Sequence, residues 1–200
     1  MILYFSVLLI CLLISFSPIA NSRKIEQIMI GLLALFFCFG YMTGSDWRSY
    51  ETYYSWLDGA GVSELMMEPA YLFLTVISHK LGIPFWPFFI VLKLFAFFSL
   101  LHFLRKYAYQ NQFLIITLFL FIFGLYLYID NPMRNLLAIC VSCFAYQYLE
   151  KRKRIKFLGV VLLAVLFHTS AILLVLLFPF YPIKSSNKKL FLLFLLFNII

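Results

Sequence analysis

Long apolar runs separated by short polar stretches set the pattern of this chain. Six of them, Ile2–Ala20, Gln27–Thr43, Phe85–Leu104, Phe113–Ile129, Met133–Leu149 and Phe157–Phe178, approach the ~20 residues that cross a ~30 Å hydrocarbon core. A seventh begins at Leu190 and continues to Ile200, about half a crossing, which reads as a partial final helix of a C-terminally shortened chain. The run Ala70–Ile83 is apolar but reaches only ~21 Å at ~1.5 Å per residue, so it predicts an interfacial or re-entrant helix. Between the second run and this one lies a polar segment, Gly44–Glu68, the outer loop of the reading below. The pattern predicts an all-α, polytopic integral membrane protein. Its six full spans, interfacial helix and partial last helix form a single transmembrane domain over residues 1–200, with no internal repeat or linker.

Basic residues orient the runs. The segment Glu150-Lys151-Arg152-Lys153-Arg154-Ile155-Lys156 is the strongest cytoplasmic marker, because short cytoplasmic loops carry excess Lys and Arg. Working back from it, Asp130–Pro132 falls outside, Arg105-Lys106 inside, Gly44–Glu68 outside and Arg23-Lys24 inside, provided that 70–83 does not cross. Met1–Ala20 lacks the positive flank of a secretory signal and reads as a retained helix with its N-terminus outside. Lys184, Lys188 and Lys189 then fall outside. They are either a short loop outvoted by stronger signals or an outer cationic patch for a phosphorylated lipid.

Composition narrows the function classes. The chain is 64% hydrophobic, 20% aromatic and 12% charged, with mean hydropathy +0.99, far more apolar surface than a soluble domain of this size uses. The formal charge of +8 sits in loops between apolar runs, with no basic helix or aromatic strand of the kind that grips nucleic acid, so no nucleic-acid partner is expected. Cys140 and Cys143 have a CxxC spacing, but on a helix this places two small apolar side chains on one face. No cofactor is expected and no metal is required, although paired carboxylates leave room for a divalent ion.

Candidate chemistry lies where polar groups meet apolar sequence. Gly44–Glu68 holds five of the eight acids, Asp46, Glu51, Asp58, Glu64 and Glu68, and carboxylates must sit in water or line a wet cavity. Asp46 and Glu68 stand at its edges, whereas Asp58 and Glu64 read as solvated loop charges. Its aromatics, including Trp47, Tyr50 and Tyr53, suit either stacking on sugar rings or resting at the interface. Arg134 opens the fifth span, either snorkelling to headgroups or gripping a phosphate or carboxylate. His168, with Thr169 and Ser170 as hydrogen-bonding neighbours, lies within the sixth span and lines a cavity or packs between helices. Lys93, in the third span, snorkels, pairs with a carboxylate or meets a lipid phosphate; His102 reads as structural.

In order, Gly44-Ser45-Asp46-Trp47 with Tyr50 and Tyr53, Glu68-Pro69 with Tyr71, Arg134-Asn135-Leu136-Leu137-Ala138, and Phe167-His168-Thr169-Ser170-Ala171 resemble the EpsG family of Wzy-like exopolysaccharide and O-antigen polymerases. The resemblance covers about Gly40 to Phe178, with Asn135 where glutamine is expected. It implies an inverting glycosyltransferase at the outer face of the bacterial inner membrane. Such an enzyme joins undecaprenyl-diphosphate-linked oligosaccharide repeat units without a cofactor, among membrane lipids and with a chain-length regulator protein as a further partner. Asp46, Glu68, Arg134 and His168 would then be catalytic, and Trp47, Tyr50, Tyr53, Lys93, Thr169 and Ser170 would bind substrate. Arg134 would meet the diphosphate, and Asp46, Glu68 or His168 would supply the base. The alternatives are a lipid-linked oligosaccharide transporter, for which the sequence shows no inverted repeat, and a non-catalytic membrane protein.

Overall fold

The computed structural model describes residues 2–17, 22–57, 67–107, 111–130 and 132–180, and every regular element among them is helical. In chain order these are α1 (Ile2–Ser15), α2 (Arg23–Cys38), α3 (Trp47–Trp56), α4 (Pro69–Lys80), α5 (Phe85–Tyr107), α6 (Gln112–Gly124), a π-helical turn (Leu125–Asp130), α7 (Met133–Glu150), α8 (Arg154–Val165), a 3-10 segment (Thr169–Leu176) and α9 (Leu177–Phe180). Asp58, Glu64, the three lysines at 184, 188 and 189, and the run from 190 to 200 lie outside the described residues.

Two helices are long and apolar enough to cross a membrane, α5 and the continuous run Gln112–Asp130. The other four expected full spans do not meet that standard among the described residues. The regular parts of α1 and α2 are 14 and 16 residues, and α7 has 18. α2 begins at Arg23, earlier than Gln27, because Ser22 holds extended backbone at the N-cap and its carbonyl accepts from the Glu26 amide. It stops at Cys38, ahead of Gly40 and a left-handed Met42.

The expected sixth span, 157–178, is a correction. It is a hairpin, not one helix. α8 ends at Val165, the chain turns at Leu166–His168, and the 3-10 segment returns along α8 until Phe178 meets Phe157 at 5.5 Å and lies under the Arg154 guanidinium. Twelve residues of α8 reach ~18 Å, well short of a ~30 Å core.

Polar contacts sort into two layers at opposite ends of the bundle. At one end Arg105 pairs with Glu26 at 2.9 Å, the Tyr107 hydroxyl donates to Glu150 at 3.0 Å, and the Gln112 amide donates to the Arg105 carbonyl. This ties together α2, α5, α6 and α7. α7 closes here with its C-terminal carbonyls capped by the Lys153 and Arg152 amides around a left-handed Arg152. At the other end the Asp46 amide donates to the Asp130 carbonyl, and Arg134 meets Glu68.

α4 belongs wholly to this second layer. Pro69 opens it, and left-handed Gly82 closes it with the Gly82 and Ile83 amides capping His79 and Ser78. Its first turn joins the α8 reversal, where the Ala70 amide donates to the Leu166 carbonyl at 3.0 Å. Its last turn meets the start of α5 through Tyr54, whose ring packs on His79 and Phe85 and whose hydroxyl donates to the Ile83 carbonyl. Both ends of α4 therefore lie at the same end of α5. The segment read as a loop also contains α3, which buries Trp47, Tyr50 and Tyr54 on one face at i, i+3 and i+7 spacing.

Candidate functional site

Three separate elements converge on one carboxylate. Glu68 ends the approach to α4, in extended backbone just before Pro69. Arg134 is in the first turn of α7, and His168 is the extended residue between α8 and the 3-10 segment. Glu68 Oε2 accepts from Arg134 Nη1, and Glu68 Oε1 lies 2.8 Å from His168 Nδ1. The carboxylate thus spans positions 66 and 100 residues away in sequence.

Exposure gives the cluster a direction. The Glu68 side chain is 13% exposed, while Arg134 and His168 are 33% and 31% exposed. The anion is the most shielded of the three, and the two nitrogen groups are the more exposed. A carboxylate at Nδ1 calls for the tautomer that carries its proton there, which leaves Nε2 as the free lone pair. Arg134 pairs with Glu68 and hydrogen-bonds Tyr50; its Nε is buried without a partner, and the third of the side chain that stays exposed is the part an anion can reach.

Burial pushes the Glu68 carboxyl up, but the His168 hydrogen bond, its own backbone amide and Arg134 outweigh this and hold it below its ordinary value. Behind Arg134, Tyr50 packs 5.3 Å from Tyr71, with the guanidinium 6.0 Å over the Tyr50 ring. Burial raises the Tyr50 phenol, against the pull of Arg134, so it stays a neutral wall.

The irregular backbone of this layer has local causes. The π-helical turn ends α6 at Asp130, and Gly44 presses against it. A Cβ on Gly44 would fall 1.9 Å from the Ile129 carbonyl oxygen, and φ is +78°, a conformation glycine adopts without steric cost. Gly44-Ser45-Asp46 is thereby pinned beside Asp130. The reversal at His168 follows from three consecutive polar residues, His168, Thr169 and Ser170, which are poor helix continuers and good end-formers. The freed Leu166 carbonyl is satisfied by the Ala70 amide.

The other expected site residues are placed as follows. Asp46 is half-buried ahead of α3, accepts from the Ser45 hydroxyl at 3.3 Å, and acts on Tyr50 by its charge. Trp47 is buried against Trp86, and Tyr50 is buried between Tyr71, Phe89 and Arg134. Those two faces are occupied by protein. Tyr53 is half-buried beside the exposed Trp56. Thr169 and Ser170 are exposed, and His168 pairs with Glu68. Lys93 is 0% exposed, its Nζ 5.3 Å from the Phe89 ring and without a hydrogen-bond partner. It is sealed beneath the site rather than opening into it. Among the described residues no three His, Cys, Asp or Glu side chains converge as a bound metal ion would require.

Sequence reading missed the wall formed by Tyr50 and Tyr71, although Tyr71 stands three residues after Glu68 on the first turn of α4. It also missed a cavity of about 550 Å³ between α5, α7 and the 3-10 segment. Asn135, the residue after Arg134, and Ser170, two after His168, are among its lining residues.

The chain matches the EpsG family over residues 25–200 and belongs to that family. No curated protein and no solved structure matches it. Family membership together with the long apolar helices makes it a membrane protein of the polysaccharide-polymerase type.

Proposed function

We propose that this chain carries the reaction centre of a glycosyltransferase that joins undecaprenyl-diphosphate-linked oligosaccharide repeat units into exopolysaccharide or O-antigen. The observation that carries the reading is the single carboxylate of Glu68 held between Arg134 and His168. In this reading an acceptor sugar hydroxyl attacks the anomeric carbon of the growing glycan. The new C–O bond forms as the bond to the diphosphate breaks, with inversion. The hydroxyl proton passes to His168 Nε2, and the electron pair leaves with the diphosphate. Glu68 keeps the imidazole in the right tautomer and balances the imidazolium, as a carboxylate does in other acid–base pairs. Arg134 meets the developing negative charge through the exposed third of its side chain, which favours catalysis because the interaction strengthens in the transition state.

The choice among three bases is thereby narrowed. Glu68 already accepts from the Arg134 guanidinium and from the Nδ1–H of a neutral His168, so a further proton would weaken both contacts. Asp46 is half-buried at the start of α3 and accepts from the Ser45 hydroxyl. His168 combines exposure with a free lone pair. With His168→Ala, at equal membrane abundance, glycan chains on a gel should shorten to the few units made without a base, a loss of ~10²–10⁴ in rate. Normal-length polymer from that variant would sink the assignment.

We further place the Arg134 layer at the outer face of the bacterial inner membrane, with α4 along the interface and residues 150–156 in the cytoplasm. The basic loops support this orientation, and the layered polar contacts keep Arg23, Arg105 and Glu150 together at the other end. Ser55 on α3 is exposed, so Ser55→Cys should react with an impermeant thiol reagent in intact spheroplasts. Labelling only after the membrane is opened would invert the arrangement.

A transport reading has one observation in its favour, the broken α8 hairpin, since half-helices line substrate sites in many transporters. Flipping of lipid-linked repeat units by protein reconstituted in vesicles, undiminished by His168→Ala, would favour it.

A further inference from the structure

The cavity between α5, α7 and the 3-10 segment has the form of a lengthwise groove. Its lining on α7 runs from Asn135 to Tyr146, eleven residues or ~17 Å along the helix, about half a ~30 Å hydrocarbon core. On the other wall Ser170, Ala171, Leu174 and Leu177 descend in parallel. At about 550 Å³ it lies within the ~300–1,000 Å³ typical of ligand sites.

The groove has a polar mouth and an apolar body. Asn135 and Ser170 stand at the end nearest Arg134 and His168. Below them the floor is small, with Ala138 and Ser142 one turn apart on α7. The Ser142 hydroxyl spends its proton on the Ala138 carbonyl at 2.7 Å, so it offers the groove little polarity. Phe103 and Tyr146 close the far end, their rings 5.8 Å apart. An apolar groove whose polar end is formed by Asn135, next to Arg134, and Ser170, two after His168, matches the hydrocarbon tail of an amphiphile with an anionic head, and the polymerase reading supplies one with a polyprenyl tail.

We propose that this groove binds the head-proximal isoprenoid units of the polyprenyl chain, so that the phosphorylated head is delivered to Arg134. The proposal rests on the polymerase reading, because that reading supplies a polyprenyl-linked substrate. It adds the site that holds the tail. The groove then acts as a ruler: a chain anchored between Phe103 and Asn135 fixes how deep the diphosphate sits relative to His168. It also accounts for the break in α8, because a straight helix continuing past His168 would leave the 3-10 wall of the groove unbuilt.

The test is photo-crosslinking in membrane vesicles of the full chain, with benzoylphenylalanine in place of Ile139, which lines the groove half-buried. A control carries it in place of Phe98, which is exposed on α5 and lines no part of the groove. The probe is radiolabelled undecaprenyl phosphate. The expected result is an adduct at 139 about tenfold stronger than at 98, displaced by unlabelled undecaprenyl phosphate and not by dioleoyl phosphatidate. Ser142→Phe, which fills the groove, should abolish the adduct, and Ala138→Leu serves the same purpose should that variant not accumulate. Equal adducts at 139 and 98, displacement by phosphatidate, or an adduct between position 139 and protein would each overturn the proposal. The two readings fail separately. Normal polymer from Arg134→Ala and His168→Ala with the adduct intact removes the catalytic reading and leaves a lipid site. Loss of polymer in those variants without any adduct keeps the catalytic site and removes the groove.

Discussion

The two ends of this helical bundle use the same chemistry for different ends. At the basic end, Glu26 and Arg105 pair across α2 and α5, and Tyr107 and Glu150 join α5 to α7. Each contact links two regular helices, and the Arg105 side chain is 37% exposed. Such pairs are worth only ~0–1 kcal/mol; they trim helix ends. At the opposite end one carboxylate serves an arginine and a histidine, and the backbone around it is irregular throughout: a π-helical turn, a left-handed glycine and a chain reversal. Irregular backbone at membrane depth is tolerated where it lines a wet or protein-filled cavity. The contrast separates pairing that closes a fold from pairing that holds reactive groups open to a substrate.

The sharpest way to break that contrast is to treat the two arginines alike. Arg134→Lys keeps the charge but loses the planar fork, so it should remain badly impaired in polymerisation. The expected loss is on the order of 3 kcal/mol of transition-state stabilisation, about a hundredfold in rate. Arg105→Lys should leave chain length unchanged and alter stability by less than ~1 kcal/mol. Glycan length in cells lacking the native gene, with membrane abundance matched, measures both. Equal effects would mean that Arg134 is only another helix-end staple.

How far this contrast could be read from sequence depends on the kind of signal. Glu68 and Arg134, at the edges of apolar runs, and His168, inside one, stood out because ionisable residues there are costly unless paired or solvated. The apolar run Ala70–Ile83 located α4, which spans Pro69–Lys80. What sequence did not reveal was that one carboxylate joins residues 66 and 100 positions away, since no local rule sets such a contact. The α8 hairpin was hidden because Leu, Val and Phe on both sides of His168 read as one continuous span. The clue was the His168-Thr169-Ser170 triplet, treated as hydrogen-bonding ornament on a helix rather than as its end. α3 was missed because its acids and hydroxyls suggested a loop, although Trp47, Tyr50 and Tyr54 share a helical face. Lys93 was placed by charge alone, and charge does not reveal that α5 would turn it into the core.

A second prediction tests whether the irregular end is built or merely loose. Gly44→Ala places a Cβ against the Ile129 carbonyl and forces a left-handed alanine. It should cost at least ~2 kcal/mol, from the ~1–2 kcal/mol conformational penalty plus the backbone shift. Gly159 in α8 has open space around its Cβ, so Gly159→Ala should be neutral or stabilising by up to ~1 kcal/mol. Melting temperatures of the purified variants in detergent decide the matter. If Gly44→Ala melts with Gly159→Ala, the loop is not pinned against the π-helical turn.

The smallest effect concerns protons, and it isolates the shared carboxylate. Because Glu68 in the folded protein titrates below its ordinary value, folding favours its ionised form. Its stabilising contribution is complete above the unfolded carboxyl range, ~4.3, and is lost as pH falls through the lower folded value. Both partners are about a third exposed, so solvent screening keeps the contribution to roughly 1–2 kcal/mol. Glu68→Gln should therefore melt lower than the parent at pH 7, and the gap between them should close as pH is taken down past 4. Arg134 and His168 keep their place only while the carboxylate between them is ionised, so the gap reports the bridge itself rather than general acid unfolding. A gap that stays constant to low pH would show that Glu68 contributes packing and shape, not charge, and the shared-carboxylate account of this end would fail.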